Sequence, residues 1–163
     1  MPGGIGEIWI RGPNVVKGYW NKPEATEKTF AGGWLHSGDI GRMDEEGFVY
    51  ILDRAKDMLI RGGENVYCVE VEDALYSHPA VMDAAVIGRP HKVLGEEVAA
   101  VVQLKPGQQA SEAELIEHCR DRIAAFKVPV EIALREAPLP RNANGKILKH
   151  KLKDEMFGGA AAG

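Results

Sequence analysis

At Asp53-Arg-Ala-Lys-Asp57 the pattern of the chain changes, and that change constrains its fold more than any other feature. Before it, Gly6-Glu-Ile-Trp-Ile-Arg-Gly12 alternates apolar and polar residues between glycines, and Gly47-Phe-Val-Tyr-Ile-Leu52 is aromatic and β-branched, so both read as strands. Between them, Gly32 to Gly41 suggests strand edges joined by tight turns, and Asp44-Glu-Glu-Gly47 a hairpin turn. The first 52 residues thus read as short β structure. They offer too few strands to close a core of their own, so the segment reads as beginning in mid-domain, with its partners missing.

After the change, helix and strand patterns alternate. Glu70-Val-Glu-Asp-Ala-Leu-Tyr-Ser77 spaces Val71, Ala74 and Leu75 as a helix that His78-Pro79 ends. Val81 to Gly88 and Val98 to Leu104 are short apolar runs bounded by Gly and Pro, suited to buried strands, and Lys105-Pro-Gly107 closes the second. Ser111-Glu-Ala-Glu114 is a capping box, followed by Leu115, Cys119 and Ile123 on one helical face. Val130 to Arg135 alternates in period two, and Leu148, Leu152 and Met156 recur every four residues in a terminal helix. Gly158 to Gly163 has little to bury and reads as a frayed tail.

With 45% apolar residues among 163, the chain can bury a substantial core. Its net charge of −4, with acids and bases interspersed, offers no polybasic face for nucleic acid. No apolar run is long enough to span a bilayer, and Met1-Pro-Gly-Gly-Ile-Gly6 lacks the features of a signal peptide, so a cytoplasmic address is expected. Cys68 and Cys119 are too few for a disulfide framework, and the histidines at 36, 78, 91, 118 and 150 show no ligand spacing, so no metal bound by this chain is expected. His118 and Cys119 fit packing or exposure on a helix better than ligation. No GxSxG elbow marks a serine hydrolase.

Pro140-Arg-Asn-Ala-Asn-Gly-Lys146-Ile-Leu-Lys149 puts a lysine just after a polar, glycine-closed turn. Asn and Gly tolerate positive φ, so the segment alone describes an exposed turn. It is not a Walker P-loop, because Ile147 occupies the Ser/Thr position and Pro140 replaces the first glycine. The motif gains meaning from those that precede it: Gly6 to Pro13, Gly18-Tyr-Trp-Asn-Lys-Pro-Glu-Ala-Thr26, Trp34-Leu-His-Ser-Gly-Asp39, Asp53-Arg-Ala-Lys-Asp-Met-Leu-Ile60, and Gly62-Gly-Glu-Asn-Val66 with Glu70-Val-Glu72.

This ordered series resembles the C-terminal third of the acyl-adenylate-forming enzymes, which include acyl-CoA synthetases, firefly luciferase and peptide-synthetase adenylation domains. The resemblance runs over residues 4–157. It implies an α+β fold: a small C-terminal domain with a short β-sheet flanked by helices, preceded by a β-rich remnant of the large N-terminal domain. The implied division is 1–53 for the remnant, 54–157 for a mobile lid and 158–163 for the tail. The family joins a carboxylic acid and ATP into an acyl-adenylate with release of pyrophosphate, and its CoA-ligase members then pass the acyl group to the thiol of CoA. Mg2+ accompanies ATP in the full-length enzymes.

Carried over residue by residue, the resemblance makes Asp39 the acceptor of the two ribose hydroxyls, a task suited to a two-oxygen carboxylate. Arg54 falls near the ribose and phosphates; an ion pair with Asp53 or Asp57 is its other use. Lys56 falls at the family hinge, which absorbs a backbone change and needs no chemistry of its own. Gly62 and Gly63 would line the channel for the pantetheine arm of CoA, where a plain turn is the alternative. Lys146 would bridge the substrate carboxylate and the α-phosphate, stabilising charge that builds in the transition state. Lys149 departs from the family pattern, which favours arginine there. Phe126-Lys127-Val-Pro129 matches a structural segment, with Lys127 a lesser candidate for a CoA contact.

The Gly62 to Tyr67 loop resembles acyl-CoA synthetases of the fatty-acid–CoA ligase branch more than peptide-synthetase domains. The phosphate loop, adenine site and acyl pocket of the family do not occur here, so the isolated chain is expected to be inactive and to need the missing N-terminal domain as partner. Two alternatives stay open: part of an amino-acid adenylation domain, and a non-catalytic module that binds a nucleotide or a partner.

Overall fold

The computed structural model describes residues 4–158, so the tail beyond Gly158 lies outside the described residues. The chain divides into two compact units, Met1–Lys56 and Asp57–Gly163.

The first unit is built on a three-stranded antiparallel sheet in the order β1-β2-β3, formed by β1 (Ile5–Ile10), β2 (Leu35–Met43) and β3 (Val49–Arg54). The β2–β3 turn is closed by Asp44, whose Oδ1 accepts from the backbone N–H groups of Glu46 and Phe48 at 3.0 and 2.9 Å, with Gly47 at φ 89°. The register slips between Ile40 and Gly41, where a Cβ on Gly41 would stand 2.8 Å from the carbonyl oxygen of Tyr50. One element departs from the all-β expectation: Pro23–Thr29 forms a short helix, α1. Proline starts a helix without losing a needed donor, and Thr26 ties the preceding loop to it by accepting from Tyr19 N–H at 2.9 Å. Because α1 buries no residue, no apolar spacing marked it in the sequence.

The second unit carries a five-stranded sheet. Its spine is a long hairpin of β6 (Val81–His91) and β7 (Gly95–Leu104), paired antiparallel from Val81–Leu104 to His91–Gly95. The other edge of β7 is shared: β4 (Leu59–Arg61) meets it at Gly95, and β8 (Glu131–Arg135) runs parallel to it from Ala99 to Gln103. β5 (Glu64–Val66) completes the sheet by pairing with β4. Both long strands extend past the apolar runs that predict them, because the pairing continues through polar residues such as Arg89–Glu97.

Both faces of this sheet are covered, which is why the apolar runs are continuous rather than alternating. Ala84, Val86, Val98, Ala100 and Val102 pack in one cluster with Val71 and Leu75 of α2 (Cys68–Tyr76) and Leu115 and Cys119 of α3 (Glu112–Arg120). Ala85, Ile87, Ala99 and Val101 pack in a second with Leu139 and with Leu152 of α4 (Lys149–Phe157). Each fully buried Leu or Val contributes about 1.5–3 kcal/mol. The capping box on α3 has both arms: Ser111 Oγ accepts from Glu114 N–H, and Glu114 accepts from Ser111 N–H. Helix α3 ends at Arg120, so Ile123 packs on the core from the following turn rather than from the helical face expected of it. The fold is thus α+β, with helices on a short sheet. No helix among the described residues is long and apolar enough to cross a membrane.

Candidate functional site

In the first unit, strand pairing sets Asp39 opposite Arg54. Arg54 Nε donates to Asp39 Oδ1 at 2.8 Å, with the Asp39 side chain 24% exposed and that of Arg54 50% exposed. The strand around Asp39 is fixed from both sides: Gly38, at φ 72°, donates its N–H to Glu7 Oε1 at 2.9 Å, and Asp39 N–H donates to Ser37 Oγ at 3.0 Å. Arg54 N–H donates to Asp53 Oδ1 at 2.7 Å, while the guanidinium reaches across the sheet. A carboxylate has about four acceptor positions, so Asp39 keeps capacity for hydroxyl donors while it holds Arg54. The adjoining surface is aromatic, with His36 stacked on Trp9 at 4.1 Å and Arg11 over Trp34 at 4.4 Å. The Trp9 indole N–H, which donates to Glu7, holds the Glu7 carboxyl below its ordinary range.

Lys56 is exposed in the turn after β3, and the boundary between the two units falls directly after it. Gly62 and Gly63 form the two-residue loop joining β4 to β5. Their φ values of 59° and 91° are both positive, the requirement of a type I′ hairpin that other residues meet with difficulty. The turn reading of this pair is therefore what the local geometry displays. Gly62 N–H also donates to Leu94 O at 2.8 Å, holding this loop to the tip of the β6–β7 hairpin.

Lys146 closes a compact loop ahead of α4. Asn142 organises it, since its Oδ1 accepts from the N–H groups of Asn144 and Lys146 at 3.0 and 2.9 Å, and its own N–H donates to Lys146 O at 2.9 Å. Gly145 sits at φ 81°, and Arg141 pairs with Ile147 across the loop. The Lys146 side chain is 52% exposed, and its Nζ lies 3.6 Å from Asp57 Oδ2, a loose contact at the start of the second unit. The ammonium is therefore positioned by backbone and left available.

Lys149 behaves differently. Its Nζ donates to Glu72 Oε1 at 2.8 Å, and Glu72 also accepts from Val86 N–H at 2.8 Å. Burial works against the Lys149 charge but is outweighed by Cys68, Glu72 and Asp57, which together raise its pKa. Its hydrogen bond goes to a single carboxylate oxygen, a contact that a point-charge ammonium can make. Lys127 donates to Glu70 Oε2 at 2.6 Å, while Phe126 packs on the core and Pro129 is fully buried. Cys119 is buried in the core, and burial pushes its thiol up to about 11; neighbouring His118 contacts Ser77 Oγ at 2.8 Å. Among the described residues no cluster of His, Cys, Asp and Glu is arranged to hold a metal ion.

Sequence reasoning overlooked Asp83 and Arg141. Asp83 accepts from Tyr76 OH and from Ala84 N–H, and pairs with Arg141 Nη2, whose Nη1 donates to Gly145 O at 2.6 Å. A single acid inside the apolar run from Val81 to Gly88 was the available signal.

Residues 70–146 match the family described as AMP-binding enzyme C-terminal domain. Within that span the chain is an AMP-binding enzyme C-terminal domain. Among curated proteins, the chain is 50% identical to the 2-succinylbenzoate–CoA ligase of Geobacillus kaustophilus, over 93% of the chain and 31% of that protein. It is 51% identical to a long-chain-fatty-acid–CoA ligase of Bacillus subtilis, over 92% of the chain and 27% of that protein. Among solved structures, the o-succinylbenzoate CoA synthetase of Bacillus subtilis in complex with its acyl-adenylate intermediate superposes with a TM-score of 0.88 at 45% identity, over 94% of the chain and 31% of that structure. The segment thus spans about three tenths of the length of the relatives it matches.

Proposed function

We propose that the chain is the C-terminal part of an ATP-dependent acid–CoA ligase, which forms an acyl-adenylate and pyrophosphate from a carboxylic acid and ATP, then acyl-CoA and AMP. The observation that carries this is the near-equal identity, 50 and 51%, to ligases named for an aromatic dicarboxylate and for long-chain fatty acids. A segment shared so evenly between different acids serves their common chemistry, and the acid pocket belongs elsewhere.

In this reading residues 1–53 are the end of the large adenylating domain and 54–157 the lid, with Lys56 as the hinge. Asp39 accepts the ribose hydroxyls of ATP, and Arg54, held in register across the sheet, supplies a fixed positive charge toward the phosphates. Lys146 neutralises charge on the carboxylate and α-phosphate as they react; its weak hold by Asp57 leaves the ammonium free to do so. Mg2+ would arrive with ATP, as in the synthetase structure solved with ATP and magnesium ion. Gly62 and Gly63 leave their hairpin tip without side chains, suited to passage of the pantetheine arm. The whole enzyme would work in the cytoplasm.

The test is a pair of assays. The 163-residue chain, given ATP, Mg2+ and a panel of carboxylic acids, should release no pyrophosphate, whereas the full-length protein carrying it should form AMP in a CoA-dependent manner. Robust pyrophosphate release by the chain alone, or acyl transfer by the full-length protein only to a carrier protein or amine, would contradict the reading.

A further inference from the structure

Lys146 sits in a loop that Arg141 ties to the sheet by hydrogen bonds, beside the apolar packing of Leu139 and Ile147 on the same sheet face. The Arg141 guanidinium spans two acceptors: Nη1 donates to the carbonyl of Gly145, the residue directly before Lys146, and Nη2 to Asp83 Oδ2. Asp83 is an unusual residue for its place, an acid 8% exposed near the start of β6 beside the register shift between Val81 and Asp83. Its other oxygen accepts from Ala84 N–H at 3.1 Å and from the Tyr76 hydroxyl, at the end of α2. A carboxylate buried this far is costly unless its acceptor positions are filled, and here they are filled by three elements at once. The guanidinium is the only common side chain whose planar fork can serve a carboxylate and a carbonyl simultaneously in fixed geometry.

We propose that Arg141 and Asp83 are positioning residues for adenylation: they clamp the Gly145 carbonyl to β6 and thereby fix where the Lys146 ammonium is presented. The proposal rests on the assignment of Lys146 to the adenylation step. Without the clamp, the loop keeps its internal Asn142 bonds and the packing of Leu139 and Ile147 but loses its polar tie from Gly145 to β6, so Lys146 samples positions away from the reacting phosphate. Misplacement by about 1 Å can cost 10²-fold in rate. Arg141 makes no step of its own. Its effect should reach the chemistry only through Lys146, and a general packing role predicts otherwise.

The experiment is a double-mutant cycle in the full-length protein, with Arg141→Ala, Lys146→Ala and the pair, each assayed separately for adenylation and for CoA transfer from supplied acyl-adenylate. Expected results are a 10- to 100-fold loss of adenylation kcat for Arg141→Ala, estimated from that cost of misplacement, with KM for ATP little changed and CoA transfer kept. In the double variant, the loss should be no greater than for Lys146→Ala alone. Arg141→Lys should recover little, since an ammonium cannot bridge both acceptors, and Asp83→Asn should give a smaller loss in the same half-reaction. Additive losses, or equal losses in both half-reactions, overturn the clamp. If Lys146→Ala itself leaves adenylation intact, the assignment of Lys146 fails, a result distinct from failure of the clamp. Folding is checked by amide exchange on the 163-residue chain: Arg141→Ala should speed exchange at Gly145 and Lys146 while leaving the β6–β7 amides protected, and loss of protection in β6–β7 would also overturn the proposal.

Discussion

The two units of the chain have the same kinds of residue and opposite relations to water. In the second, both faces of the β6–β7 hairpin are buried, and Leu75, Leu115 and Leu152 are fully enclosed. In the first, Ile51 is 67% and Val49 54% exposed on β3, Phe48 just before that strand is 62% exposed, and Trp20 is 89% exposed. The contrast teaches that a sheet can be specified by strand pairing and turns without burying its apolar side chains, and that the Asp39–Arg54 pair is mounted on such a sheet. Lys146 is mounted on the self-sufficient unit. The role proposed for Lys146, which would move between half-reactions, suits a domain able to stay folded while it moves.

The largest effect that separates the units is folding itself. Residues 57–163 expressed alone should unfold in a single cooperative denaturant transition, whereas residues 1–56 alone should give none; a cooperative transition in the shorter piece would break the comparison. At the level of single side chains, Leu75→Ala or Leu115→Ala in the 163-residue chain should cost about 2–5 kcal/mol by denaturant titration. Ile51→Ala should stay within about 0.5 kcal/mol. Equal costs would mean that Ile51 packs in solution as the core leucines do.

A smaller, pH-dependent effect near neutrality centres on His118 of the second unit. Burial, then the Arg122 and His78 charges, lower the His118 pKa against the opposing pull of the Ala74 carbonyl and Asp121. The folded chain therefore takes up this proton less readily than the unfolded chain, so stability is present above the ordinary histidine pKa of about 6.5 and is lost as pH falls below it. His118→Gln should lose less stability than the parent between pH 7.5 and 5.5, measured by urea titration at both values. An equal loss would remove His118 from the account.

Much of this was legible in the sequence, and the reasons are physical. The capping box and the Asp44 turn are local signals whose structure depends on few distant contacts, so Ser111 and Gly47 fold as read, while the run Val98 to Val102 reads as a strand because cover on both faces makes it continuously apolar. Helix α1 was missed because it buries nothing, and Ile123 was misplaced because its packing survives the end of the helix. At the candidate site, motif order singles out Asp39, Arg54 and Lys146 as expectations, but the pairing of Asp39 with Arg54 is set by β2–β3 register, and the Asp83–Arg141 contact joins residues far apart in sequence. Neither spacing nor periodicity encodes such a contact.

The central claim is that Lys146 acts in the first half-reaction and is dispensable in the second. The direct measurement is the rate of each half-reaction in the full-length protein before and after Lys146→Ala. The account predicts that adenylation falls by about 10²-fold or more while CoA transfer from supplied acyl-adenylate stays within a few-fold; equal losses in the two half-reactions would contradict it.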